Sequence, residues 1–309
     1  MNRPLAIALV AAGALCISFA APLVKAIELG PSAIGAYRTG IAAFILGLIS
    51  LLHPGSRVRL TPGWQRPVLW SVLAGVAFGL DLFIWHRSII LTGAGLATLL
   101  ANTQVFWVAI VSAVVLSETL TLRFVLCSLG AVTGIALLTV PGLLGETLSG
   151  LGTAYGLGAA VFYALYILCL RASQQHPSAL PIVPNLAIAS ASSAFVLVVG
   201  AAATNEAIVI PSPSTMGLLI ALALVVQISG WLFISRAMPH LPARISSLII
   251  LLQPVLATVW GIIFFDEALT SLDALGGLMT LLAIYAATAW KAPEPVLPSQ
   301  PTEAQPRAS

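Results

Sequence analysis

Charge is what this sequence most lacks. Asp, Glu, Lys and Arg make up only 7% of its 309 residues, whereas 59% are hydrophobic, and the mean hydropathy is +1.05. A soluble domain keeps roughly a quarter of its residues charged to stay hydrated, so a water-exposed globule is excluded and lipid must be the solvent. In lipid the backbone satisfies its own hydrogen bonds, which leaves helices or a closed barrel. The apolar stretches run about 20 residues without alternating apolar and polar positions, and that selects helices. Cysteine is scarce as well. Cys16, Cys127 and Cys169 fall inside apolar spans with no CxxC spacing, as buried and inert thiols do. No GxGxxG, Walker loop or HExxH occurs, and no soluble segment could house a nucleotide-binding domain. No cofactor is expected, and hydrolysis within this chain cannot power pumping. His53, His86, His176 and His240 are scattered at loop or span ends without metal-ligand spacing. Neither paired aspartates of the prenyltransferase kind nor a Ser/His pair at depth is found. A membrane-embedded enzyme or lipid-handling protein is thereby weakened, though it stands as one alternative, and a passive channel stands as another.

What is present is a succession of ten apolar spans, at about 4–25, 33–52, 67–88, 92–116, 123–141, 151–171, 180–203, 214–236, 243–265 and 271–290. Turn chemistry separates them: His53-Pro54-Gly55, Thr61-Pro62-Gly63, Pro141-Gly142 and Pro211-Ser212-Pro213. The first span follows Arg3 and resembles a secretory signal, but it runs on to Lys25 without a polar break and is read as a membrane helix. Residues 291–309 are Pro-rich and read as a disordered cytoplasmic tail. The net charge of +3 comes from single basic residues in short loops, which argues against a nucleic-acid partner and for an orientation signal. With the N-terminus inside, one face collects Arg3, Arg57, Arg59, Arg66, Arg123, Arg171, Arg236, Arg244, Lys291 and Arg307. The other keeps Lys25 and Arg87. Both termini are therefore expected in the cytoplasm.

Shifted by 149 residues, Arg87–Thr121 aligns on Arg236–Thr270 without a gap, with seven identities in thirty-five pairs. Arg87/Arg236, Gln104/Gln253 and Glu118/Glu267 carry the signal, because polar residues are rare here. A duplication is the economical reading: a first five-helix repeat over 1–141, an outer linker at 142–150, and a second repeat over 151–290. Five crossings is an odd number, so the second repeat enters the bilayer from the opposite side. Inverted repeats are common in secondary transporters, where the site lies between them near the midplane.

The boxes Glu118-Thr119-Leu120-Thr121 and Asp266-Glu267-Ala268-Leu269-Thr270 resemble those that end the fourth helix of each half in EamA-type members of the drug/metabolite transporter superfamily. Gln253-Pro254, Lys25, Arg38 and the stretches Leu80–Arg87 and Ala97–Asn102 add to the resemblance, which spans residues 5–290. One departure is Val105, which stands where Pro254 stands in the second half. The resemblance implies a ten-helix transporter with both ends inside, usually an exporter of amino acids or related metabolites, at the bacterial inner membrane.

An ionisable group within the hydrocarbon costs on the order of 2.5–3.5 kcal/mol and is a functional candidate by default. Asp81 is the one carboxylate well inside a span, with Trp85 one turn on. It suits proton coupling or the recognition of a substrate ammonium; the competing reading bridges it to Arg38, Arg87 or a hydroxyl to fix packing. Arg38, a basic group inside the second span, either binds a substrate carboxylate or snorkels to an interface. Asn102, Gln104, Gln227 and Gln253 must face protein or a wet cavity, either as interhelical polar contacts or as substrate ligands. Trp85, Trp107, Tyr163, Tyr166 and Trp231 share helical faces with these groups or lie near them, and are expected to wall a cavity for a small amphiphile. Glu118 and Glu267 read as anchors at span ends, and Gly75 and Gly79 as a face for close helix contact. Oligomeric state is not readable.

Overall fold

A computed structural model of the chain describes residues 1–56, 62–115, 118–143, 149–266 and 268–289, without the side chains of residues 94 and 140–143. Glu267, most of the expected linker, and the segment from Trp290 onward with its expected tail lie outside the described residues. Among those described, ten helices are long and apolar enough to cross a membrane. They are α1 Arg3–Lys25, α2 Pro31–Leu52, α3 Gln65–Gly93, α4 Gly95–Val115, α5 Leu122–Thr139, α6 Gly150–Gln175, α7 Ile182–Ala203, α8 Pro213–His240, α9 Ala243–Phe265 and α10 Ser271–Ala289. Their starts use ordinary chemistry. Asn2 and Ser149 accept from the N–H three residues on, and Pro31 and Pro213 open their helices.

The packing pairs the two halves. Helix α1 lies on α8 and α9, while its counterpart α6 lies on α3 and α4. Helices α2 and α7, α4 and α9, and α5 and α10 meet as counterparts. These contacts of one half thus recur in the other, as a pseudo-two-fold arrangement requires. Small residues permit it: at Gly13 a Cβ would sit 2.7 Å from the Gly230 carbonyl oxygen, and at Gly134 2.6 Å from that of Gly276. Polar contacts add to the α3–α6–α7 seam. Ser71 Oγ donates to Asn185 Oδ1 at 2.7 Å, Asn185 Nδ2 donates to Ser173 Oγ at 2.9 Å, and all three residues are buried.

Several helices depart from regular geometry. Helix α3 runs five residues beyond its expected end and joins α4 through Gly93, whose φ of 80° only glycine adopts freely. Helix α9 breaks at Leu251, just before Gln253-Pro254, where the proline withholds its N–H. Helix α4 breaks at the matching level, at Thr103, although Val105 takes the proline's place. There the Thr103 N–H and hydroxyl both reach back to the Leu100 carbonyl, at 3.1 and 2.6 Å, so a tightened turn stops the helix without proline. Finally, α8 contains a π-helical stretch, Leu222–Gly230, a rare geometry that recurs at functional sites.

Candidate functional site

The π-helical stretch of α8 presents Gln227 to Arg38 of α2. The Arg38 Nε donates to Gln227 Oε1 at 2.9 Å, and Gln227 Nε2 reaches Ser190 Oγ of α7 at 3.5 Å. Arg38 is only 7% exposed, so it does not snorkel to an interface. Its guanidinium lies over the Phe78 ring at 5.4 Å, a cation–π contact in a dry setting. Phe78 stacks on Tyr166 at 4.4 Å, and the Trp231 edge meets Phe78 at 5.8 Å, Tyr166 at 4.4 Å and Tyr163 at 6.2 Å. The Tyr163 hydroxyl accepts from Gln253 Nε2 at 3.4 Å. Arg38, Tyr163, Gln227, Trp231 and Gln253, drawn from both halves, therefore converge on one aromatic cluster.

Asp81 lies within electrostatic reach of Arg38, Tyr163 and Tyr166. It is 7% exposed, with no hydrogen bond and no ion pair within 4 Å among the described residues. The bridge to Arg87 is not formed. Arg87 instead covers the Phe83 ring at 3.3 Å and donates to the Phe83 carbonyl at 2.7 Å. The indole N–H groups of Trp85 and Trp231 and the Nδ1 of His86 are buried without a partner among the described residues.

The remaining candidates sit elsewhere. Asn102 Nδ2 donates to Thr98 of its own helix at 2.8 Å. Trp107 is 40% exposed and shares its face with Ile110 and Val114, the lipid side of α4. Gln104 is buried and donates to the Ser247 carbonyl at 3.2 Å, joining α4 to α9. Phe78 and Ser190 belong to the cluster without having been singled out. Phe78 precedes Asp81 by three residues and so shares its face, a signal that was available; nothing in sequence marks Ser190. Two shallow apolar grooves, of about 290 Å³ against Val255 and Leu278 and about 430 Å³ against Tyr37 and Val198, lie away from this cluster.

Each end of the bundle has its own ionic tie across the halves. At one end Glu118 Oε2 accepts from Arg244 Nη1 at 2.9 Å, and its Oε1 accepts from the Ala243 N–H at 3.0 Å and pairs with Arg171 Nη2 at 3.3 Å. The carboxylate thus anchors the span end as expected, by capping the N-terminus of α9. At the other end Glu206 accepts from the Ser32 N–H and hydroxyl, both at 2.8 Å, and faces Arg87 at 3.7 Å. Burial by itself raises the Glu206 carboxyl, but hydrogen bonds from the Ser32 hydroxyl and N–H, Thr204 and Ala33 outweigh it and hold the group below the ordinary glutamate range. The tie is therefore complete above that range and is lost as the pH falls through it to the lowered value. Thermal midpoints of the wild type and Glu206→Gln should differ at neutral pH and converge in acid. A gap that does not change with pH would contradict this origin.

The family model described as EamA-like transporter family matches residues 4–140 and 150–289. No curated protein sequence gives a significant match. A solved crystal structure superposes with a TM-score of 0.75, covering 93% of this chain and 98% of its own, at 18% identity. That likeness concerns the fold.

Proposed function

Because the chain belongs to the EamA-like transporter family, we propose that it is a secondary active exporter of a small amphiphilic metabolite, an amino acid or a close relative, working by alternating access. The observation that carries this reading is the buried Arg38–Gln227 contact beside Asp81, on helices of opposite halves. A guanidinium is suited to a carboxylate, a carboxylate to an ammonium group, and Phe78, Tyr166 and Trp231 to an apolar side chain. Since α2 and α3 supply the charges while α6, α8 and α9 supply most of the aromatic and amide groups, rocking one half against the other reshapes the site. Asp81 is the candidate to carry a coupling proton. Trp85 belongs to the proposed site, and Asn102 and Trp107 are left outside it.

In this reading the protein lies in the bacterial inner membrane with both termini in the cytoplasm. Cysteines introduced at Ser56 and Thr204, in corresponding loops of the two halves, should then label from opposite sides. Labelling from a common side would end the inverted-repeat mechanism. Transport itself is tested in proteoliposomes by saturable uptake and counterflow of amino acids. Flux that neither saturates nor shows counterflow would favour a channel, and turnover of a lipid without solute movement an enzyme. Arg38→Lys keeps the charge but loses the planar fork that meets Gln227. Its KM is expected to rise about tenfold or more, with kcat less affected; an unchanged KM would remove Arg38 from recognition.

A further inference from the structure

Four polar atoms at the Glu118 end of α6 are sealed from solvent and have no partner among the described residues: Nε and Nη1 of Arg171, and both amide atoms of Gln174. The two residues are three apart and so share a helical face. Neither belongs to the central cluster. Buried polar groups are nearly always satisfied, and unused donors on a charged group are the costliest to leave empty. The neighbouring charges do not balance either. One carboxylate, Glu118, is shared by Arg171, Arg244 and the Ala243 N–H at the start of α9. Two guanidiniums thus share a single carboxylate beside four open hydrogen-bonding atoms.

We propose that Arg171 and Gln174 form a second recognition site, for the carboxylate of a small solute at the Glu118 end of the bundle, distinct from Arg38. The carboxylate takes the unused donors of Arg171 and the Gln174 amide N–H, and Gln174 Oε1 accepts from a neighbouring ammonium or hydroxyl group. Carboxylate binding here is independent of the transport reading, and only the effect of occupancy rests on it. An arriving carboxylate competes with Glu118 for Arg171. Glu118 stands just beyond α4, in the first half, and holds α6 and α9 of the second. Loading therefore loosens the tie between the halves at that end, so that a solute with the right headgroup opens its own way to the centre.

The test uses the purified full-length protein, with acetate as the probe and chloride at equal ionic strength as the control. Acetate should raise the thermal midpoint saturably, by about 3 °C over chloride. The rise should persist in Arg38→Gln and shrink by more than half in Gln174→Ala, which leaves every Glu118 ion pair intact and so keeps folding out of question. Arg171→Gln combined with Glu118→Gln, which removes the pair together, should abolish it. Three results overturn the proposal: no rise with acetate, an equal rise with chloride, or a rise lost in Arg38→Gln and kept in Gln174→Ala. Failure of the transport reading looks different, because acetate binding would then survive while no amino acid shows counterflow.

Discussion

Asp81→Asn is expected to abolish proton-coupled flux while leaving the protein folded in the membrane. The substitution keeps shape and volume, and Asp81 makes no hydrogen bond among the described residues that the amide would forfeit. Arg38 retains Gln227 and the Phe78 face as partners. What disappears is a group able to hold and release a proton, or to oppose a positive charge. If the carboxylate carries the coupling proton, driven flux falls to the background of empty liposomes while counterflow, which needs no net proton movement, continues. If it grips an ammonium group, loss of a buried charge pair costs about 2–5 kcal/mol, raising KM roughly 30-fold or more and suppressing counterflow as well. Measuring both fluxes across a range of external pH separates the two roles. Wild-type rates at every pH would remove Asp81 from the mechanism.

Gly75→Ala should be the most damaging single packing change, with a loss of about 3 kcal/mol or more. A Cβ at Gly75 would lie 2.1 Å from the Ala189 carbonyl oxygen and 2.7 Å from Ser192 Cβ. A backbone carbonyl within a helix cannot turn aside as a flexible side chain can, so α3 and α7 must move apart. That separation propagates along the seam. One turn away Gly79 already approaches Val196, where a Cβ would come within 2.7 Å, and one turn the other way Ser71 holds Asn185. In a bilayer no hydrophobic force between helices compensates for lost contact, since lipid is as apolar as leucine. Gly47→Ala and Gly217→Ala are the controls, because a Cβ there meets nothing within 4 Å. Unfolding in mixed detergent micelles should rank Gly75→Ala far below both. Equal stability of the three would show that the close approach is not structural.

The span boundaries were legible to within a few residues because hydrocarbon demands about 20 apolar residues per crossing and each run of them is bounded by turn residues. Where the reading fell short, a tertiary contact had intervened. Helix α3 continues past residue 88 because Ser88 donates to the Gly152 carbonyl at 2.8 Å and buries that turn against α6. The break in α4 is made by Thr103, which no proline announces. Trp107 follows Gln104 by three residues, yet those sixty degrees of rotation carry it from a buried contact to the lipid face.

By itself the sequence determined the solvent, the ten crossings and the duplication, because charge density, apolar run length and recurrence of rare polar residues are local or additive properties. Only the tertiary structure decided which of those rare polar groups meet. Arg38 and Gln227 stand 189 residues apart. The π-helical turns between Leu222 and Gly230 set which face of α8 Gln227 occupies, and no periodicity in the chain encodes that rotation. Arg171 and Glu118 are likewise joined by the packing of one half on the other. Helices in lipid are specified one at a time by their own composition, whereas a site between them depends on their mutual rotation and depth, which close contacts such as that of Gly75 with Ala189 settle only once the bundle has assembled.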